Sequence, residues 1–239
     1  AGTWTDDTSM ALALGEALLA SAAKGSAFEP GEAQLRFVDW WRNGAFSPTG
    51  SCFDIGIATR QALARFEETG DPSAGSTEAY SAGNGSLMRL APVAIWGIQQ
   101  DPAVVTRVAR RQSMTTHAAD ACLEACEAYA LVLRAAILGA SFEDALAVPS
   151  GEYGPEVGPI MAGSWRGKAR DQIASSGFVV HSLEAAIWSV ANTTSFDDAV
   201  LLAANLGHDA DTTAAIAGQL AGAIYGASSI RQSWLEKLA

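Results

Sequence analysis

Two short stretches near opposite ends of the 239-residue chain carry more oxygen ligands than a helix start requires. The first is Thr5-Asp6-Asp7-Thr8, which opens an apolar run through Met10, Leu12, Leu14 and Leu18. The second is Asp209-Ala210-Asp211-Thr212-Thr213, which opens another through Ile216, Leu220 and Ile224. A helix leaves its first backbone N–H groups unpaired, and one Asp or Thr oxygen is enough to cap them. For either stretch alone, capping is the simpler reading. A second carboxylate beside the first adds like-charge repulsion that the helix dipole offsets by only ~1 kcal/mol. If the two starts converge, Asp6, Asp7, Asp209 and Asp211 bring four formal negative charges to one place, and two divalent cations would balance them. The donors are carboxylates and hydroxyls, with His208 the sole nitrogen ligand nearby, so hard ions such as Mg2+ or Mn2+ fit better than zinc.

In this order and spacing the motifs resemble the signature of the ADP-ribosylglycohydrolases, the family of dinitrogenase-reductase-activating glycohydrolase, the ADP-ribosyl-acceptor hydrolases and the J1 crystallins. The family's T-D-D-T is matched in Gly2-Thr3-Trp4-Thr5-Asp6-Asp7-Thr8. Its G-x-D-x-D-T-x-A-A-x-x-G is matched in Gly207-His208-Asp209-Ala210-Asp211-Thr212-Thr213-Ala214-Ala215-Ile216-Ala217-Gly218. The resemblance runs nearly from the first residue to the last. It implies that Thr5, Asp6, Asp7, Asp209, Asp211 and Thr212 are the ligands of a centre of two Mg2+ or Mn2+ ions. The implied activity is hydrolysis of the C1″ bond between ADP-ribose and a protein side chain or small acceptor. Metals suit this chemistry because they orient the ribose hydroxyls and lower the pKa of bound water. Asp6 or Asp7 would then accept the water's proton. A non-catalytic binder on the same scaffold, as in J1 crystallins, is the competing reading, and six intact ligand positions weigh against it. A generic metal phosphoesterase is weaker still, because a His-rich ligand set is lacking.

Ser81-Ala82-Gly83-Asn84-Gly85-Ser86-Leu87-Met88-Arg89 has glycines and small hydroxyls that let backbone approach a ligand and point N–H groups at an anion. Asn84-Gly85 is also a favoured turn. The stretch resembles the family's G-N-G-x-x-M-R segment, which implies substrate contacts at Ser81, Gly83, Asn84 and Gly85. Some relatives carry an acid where Ser81 stands, so an acid at that position cannot be the base here. His117, in Thr115-Thr116-His117, matches the family's T-H motif and is expected beside the ribose, in a packing and hydrogen-bonding role. By the same resemblance Gly56 touches the diphosphate and Phe178, in Ser176-Gly177-Phe178-Val179, walls the cleft. Read without it, Asp54 is a helix cap and Gly56 a small residue. No motif claims His181 or His208.

The elements that must position these residues read as helices throughout. The first opens at Thr5. Pro30 to Arg42 forms a second, with Leu35, Phe37, Val38, Trp40 and Trp41 on one broad face. Asp54-Ile55-Gly56-Ile57 opens a third that runs to Glu68, and residues 73–86 form a Gly- and Ser-rich loop. Leu87 to Ile98 reads as a short helix that Pro92 kinks or restarts. Asp101-Pro102 begins the next, which runs to Arg111, and His117 to Leu138 is the longest. Ser141 to Leu146 is short, and residues 153–167 are irregular with one helical turn. Val179 to Val190 and Ser195 to Leu206 are amphipathic. The Asp209 helix presents small residues from Ala214 to Gly226 for close packing. No segment alternates strictly, so the fold class is all-α, a compact orthogonal multi-helix bundle in a single domain over residues 1–239.

Hydrophobic residues make up 49% of the chain and charged residues 17%, which suits one sizeable core. A net charge of −11 argues against affinity for nucleic acid or anionic membranes. No run reaches the ~18 apolar residues of a membrane span. Cys52, Cys122 and Cys126 cannot all pair internally and suit a reducing cytoplasm. Members of the family usually carry a helix with a G-x-x-x-G-D-A-L-G-like sequence before T-D-D-T, and none precedes Thr5 here. The expectation is an exposed apolar face, a homodimer that covers it, a longer precursor, or a first helix shifted into the gap.

Overall fold

Among the described residues, 2–238, the computed structural model has twelve α-helices and no sheet, with two isolated β-bridges, Ser76 to His117 and Gly83 to Phe178. The helices are α1 (Asp6–Ala23), α2 (Pro30–Asn43), α3 (Ile57–Thr69), α4 (Ala91–Trp96), α5 (Pro102–Met114), α6 (Asp120–Ile137), α7 (Phe142–Leu146), α8 (Gly158–Met161), α9 (Val179–Ala191), α10 (Phe196–Ala204), α11 (Ala210–Tyr225) and α12 (Gln232–Leu235). The all-α bundle expected from periodicity is the fold observed.

The core centres on α6, which is apolar nearly all round and buries Cys122, Cys126, Tyr129, Val132 and Leu133. Against it pack α5, α9, α4 and α11, and α10 closes over α9 and α11. Gly218 and Gly222 of α11 face Val200 and Phe196 of α10, at distances where a Cβ would make ordinary van der Waals contact. The Tyr129 hydroxyl donates to the Ile216 carbonyl at 2.6 Å, tying α6 to α11 through the core. On the far side α1 packs on α2 and α4.

Three helix starts lie three or more residues later than expected, each for a local reason. The helix expected from Leu87 begins only at Ala91. Pro92 has no N–H to give the Met88 carbonyl, and the Gln219 side chain fills that place at 2.7 Å. The helix expected from His117 starts at Asp120 and, at 18 residues, only equals α1 in length, because Ser113 bonds the His117 carbonyl and His117 bridges to Ser76. The third starts at Ile57, so Asp54 caps nothing.

Between α1, α4 and α11 lies an apolar groove of about 570 Å³, along which Leu12, Leu19 and Ile95 stay exposed.

Arg89 is wholly buried and, among the described residues, has no carboxylate partner. Its guanidinium donates to the Gln112 side chain and carbonyl and to the Thr115 and Thr116 hydroxyls, at 2.9–3.0 Å, and lies over the Phe37 ring. Arg89→Leu removes every one of these donors while leaving the acceptors buried. It is expected to lower the unfolding free energy by about 3 kcal/mol, read from the urea midpoint. A loss below about 1 kcal/mol would show that water replaces the guanidinium.

Candidate active site

Asp6 and Asp7 form the first turn of α1, and Thr5 holds its N-cap position in extended backbone. The Thr5 side chain makes no cap bond; its hydroxyl donates instead to Asp7 Oδ2 at 2.8 Å. Asp209 holds the N-cap position of α11 and likewise makes no cap bond. Its Oδ2 accepts from Asn84 Nδ2 at 2.8 Å, while its N–H donates to the Ser175 carbonyl at 3.0 Å. Neither acidic start performs the capping that would explain it without a ligand.

The two starts share one cavity of about 310 Å³. Asp6 enters from α1, Asp209, Asp211 and Thr212 from α11, and Gly83, Asn84 and Gly85 from the glycine-rich turn, with Gly56 and His117 opposite. Nine of the residues singled out in the sequence therefore line a single cavity. Asp7 lines the adjoining groove instead, but its carboxyl feels the charges of Asp209 and Asp211. Thr5 reaches the cluster through its bond to Asp7. Ser81 and Phe178 lie outside the cavity lining. The Ser81 hydroxyl donates to the Glu78 carbonyl within a 3-10 turn, and Phe178 precedes α9, edge-on to His181.

Local chemistry explains the turn. Asn84 is fixed at both ends, its N–H donating to the Gly177 carbonyl and its amide to the Ser182 hydroxyl and Asp209. A Cβ at Gly85 would stand 2.7 Å from His117 Cε1, so only glycine lets the backbone press on the imidazole. His117 is buried, and burial first, then the Arg89 charge, pushes its pKa down to about 3, so the ring is neutral. Thr116 Oγ1 accepts from Arg89 and lies 2.8 Å from His117 Nδ1. Where the Thr116 hydroxyl donates to Nδ1, the ring proton sits on Nε2, the nitrogen nearest Gly83. Gly56, Ile57, Ala58 and Thr59 bring the start of α3, which has no side-chain cap, to the same cavity. Unpaired N–H groups at a helix start suit an anion.

Burial, followed by Asp7, Asp54 and Asp211, raises the Asp6 carboxyl to about 8. Burial, opposed by the Thr5 hydrogen bond and reinforced by Asp211 and Asp209, raises Asp7 to about 7. Asp7 Oδ1 is buried without a hydrogen-bond partner. Among the described residues no three Asp, Glu, His or Cys side chains close around a single point as a ready cage. Two ions that divided the four carboxylates between them, with the Thr5 and Thr212 hydroxyls as further donors, would require no such cage. The orphaned Asp7 oxygen and the all-oxygen donor set fit hard divalent cations.

Sequence reasoning missed Asp54 and Gly177 as cavity residues. A Cβ at Gly177 would touch Asp209 Oδ2 at 3.4 Å, a contact between distant segments that no local pattern announces. His181 and His208 both face a separate cavity of about 720 Å³, behind the 173–176 segment.

The fold is an all-helical bundle whose two acidic helix starts meet at one cavity beside a glycine-rich turn. The chain belongs to the ADP-ribosylglycohydrolase family, whose model matches residues 1–239. It is 44% identical over its whole length to the ADP-ribosylarginine hydrolase Tri1 of Pseudomonas putida (strain GB-1), of which it covers 63%. It is 42% identical over 99% of its length to the ADP-ribosylarginine hydrolase Tri1 of Serratia proteamaculans (strain 568), again covering 63%. Identity to the ADP-ribosyl-[dinitrogen reductase] glycohydrolase of Rhodospirillum rubrum is 30%, over 99% of this chain and 74% of that one. A solved structure titled as an ADP-ribosylglycohydrolase-related protein complex superposes with a TM-score of 0.84 and 38% identity, over 100% of this chain and 77% of that chain. The chain thus spans a little under two thirds of the length of the two Tri1 relatives.

Because Asp6 and Asp7 hold protons at pH values where the unfolded chain, with the ordinary value of 3.8, releases them, their contribution to stability has a definite sign. It is fully present below about pH 4 and lost as pH rises through 7 and 8. In chelator, the melting temperature of the wild type is expected to fall between about pH 5 and 8 more steeply than that of Asp6→Asn/Asp7→Asn. Parallel slopes would show that the carboxyls are ionised without metal.

Proposed function

We propose that the protein is a metal-dependent glycohydrolase that releases ADP-ribose from ADP-ribosylated arginine side chains. The observation that carries this reading is the meeting in one cavity of two acidic helix starts that cap nothing, on a chain 44% identical to a relative named for that activity. Thr5, Asp6, Asp7, Asp209, Asp211 and Thr212 would hold two Mg2+ or Mn2+ ions. Bound there, the ions supply Lewis acidity and water of lowered pKa.

The chain's own residues do the rest. Asn84 holds the Asp209 carboxylate in place through a 2.8 Å hydrogen bond, fixing one side of the centre. His117, neutral and packed against Gly83 and Gly85, offers Nε2–H to a ribose oxygen without adding charge. The uncapped start of α3 at Gly56 suits the diphosphate. Asp6 or Asp7 accepts the proton of the attacking water as the C1″–N bond breaks and the leaving guanidine nitrogen takes up a proton. The three free cysteines suit a reducing compartment such as the cytoplasm, and no described helix is long and apolar enough to cross a membrane.

The test is release of free ADP-ribose from arginine-ADP-ribosylated protein with added Mg2+ or Mn2+. Wild type is expected to release it, and chelator to stop it. Asp209→Asn, which keeps the side chain's size and removes its charge, should lower the rate at least about 100-fold with little change in melting temperature. Tight binding of ADP-ribose without release would make the protein a binder; neither binding nor release would remove the reading altogether.

A further inference from the structure

The amide that holds Asp209 is itself held from another helix. Asn84 Nδ2 has two protons and donates one to Asp209 Oδ2 at 2.8 Å and the other to the Ser182 hydroxyl at 2.9 Å. Ser182 stands in the first turn of α9 and is wholly buried. The main chain of Asn84 is fixed as well. Its N–H donates to the Gly177 carbonyl at 3.0 Å, and its carbonyl accepts from the Leu87 and Met88 N–H groups. With the backbone pinned, only rotation of the side chain can turn the amide away from Asp209.

Ser182 has a single proton to give, and a backbone carbonyl takes it. A buried serine in a helix commonly donates to the carbonyl four residues back, as Ser21 does to Ala17 and Ser189 to Ala185, both at 2.7 Å. Ser182 departs from that habit. The carbonyl four back, that of Phe178, lies at 3.4 Å, while the Ser176 carbonyl, outside the helix, lies at 3.1 Å. The hydroxyl therefore leans from its own helix toward the 175–177 segment, which packs on Asp209 through the Ser175 carbonyl and Gly177. With its proton committed, Ser182 Oγ can only accept. The Asn84 amide must then turn its NH2 group to Ser182, which leaves the second N–H for Asp209 and keeps the amide oxygen away from that carboxylate.

We propose that Ser182 is a positioning residue for the metal centre: it sets the Asn84 amide and, through that amide, holds the Asp209 carboxylate. That Asp209 is a metal ligand rests on the reading given under the proposed function; that Ser182 fixes Asn84 does not. Ser182 is absent from the cavity lining and bonds no carboxylate among the described residues, so its influence on a bound ion has to pass through Asn84. Partners of a ligating carboxylate contribute about 10- to 100-fold in metal affinity, and a group one hydrogen bond further out contributes less, about fivefold.

The experiment measures Mn2+ affinity by titration calorimetry for wild type, Ser182→Ala, Asn84→Ala and the double variant. Solvent exchange of the Asn84 side-chain amide protons is followed by NMR in the metal-free protein. Ser182→Ala is expected to weaken Mn2+ binding about fivefold and to strip the amide protons of their protection, with little change in melting temperature in chelator. In the Asn84→Ala background the same substitution should alter Mn2+ affinity less than about twofold, because no amide is left for Ser182 to hold. Ser182→Cys, which nearly keeps the shape and offers a weak acceptor, should fall between wild type and Ser182→Ala, and it carries the comparison if the alanine variant does not fold. An equal loss in both backgrounds would show that Ser182 acts through the packing of α9 and would overturn the proposal. Unchanged amide protection, or unchanged Mn2+ affinity where wild type binds the ion, would overturn it as well. If wild type took up no Mn2+, the metal reading alone would fall, and the amide protons would still decide whether Ser182 positions Asn84.

Discussion

Like charges brought together out of water set the terms for this fold. Asp6 and Asp7 are buried, and Asp209 and Asp211 come against them from the far end of the chain. A pair of carboxylates in such a place favours any arrangement that supplies protons, dipoles or cations. The structure supplies dipoles by opening two helices at the cluster, so that α1 and α11 direct their positive ends to it. It supplies donors through Thr5 to Asp7 and Asn84 to Asp209. One Asp7 oxygen remains without a partner. The remaining charge is the physical case for divalent cations, and it is independent of sequence similarity.

Behind the cavity a second buried polar network keeps its wall rigid. Arg89 bonds Thr115, Thr116 and Gln112, Thr116 bonds His117, and His117 stacks against the glycine-rich turn that carries Asn84. The Gln112 amide in turn donates to the Ser86 carbonyl, closing the network on the same turn. A single buried cation thus fixes the imidazole that lines the cavity and the loop that orients the Asp209 carboxylate. Burial holds that imidazole neutral, which suits a group meant to hydrogen-bond rather than to exchange protons.

Much of this was legible in the sequence. Helical periodicity identified the major helices because each buries one face, and the surplus of acids at two helix starts pointed to a shared site. Boundaries failed where tertiary bonds replaced local ones. Gln219 takes the Met88 carbonyl that a helix from Leu87 would have needed, and Ser113 takes that of His117. Asp54 was read as a cap because an acid before an apolar run looks alike whether its backbone is extended or left-handed. Gly177 was silent because its neighbour is Asp209, which lies on another segment.

The two halves of the cavity are separated by some two hundred residues, and this bears on how the molecule comes into being. While the chain is being made, α1 can pack only on α2 and α4, with its acidic end still in water. No binding surface exists until α11 has been synthesised and has docked between α6, α9 and α10. Such distant closure is the slow, entropically costly kind of contact. Folding of the last long helix and birth of the site are therefore one event, and a chain broken off before Asp209 would hold only half of the cavity.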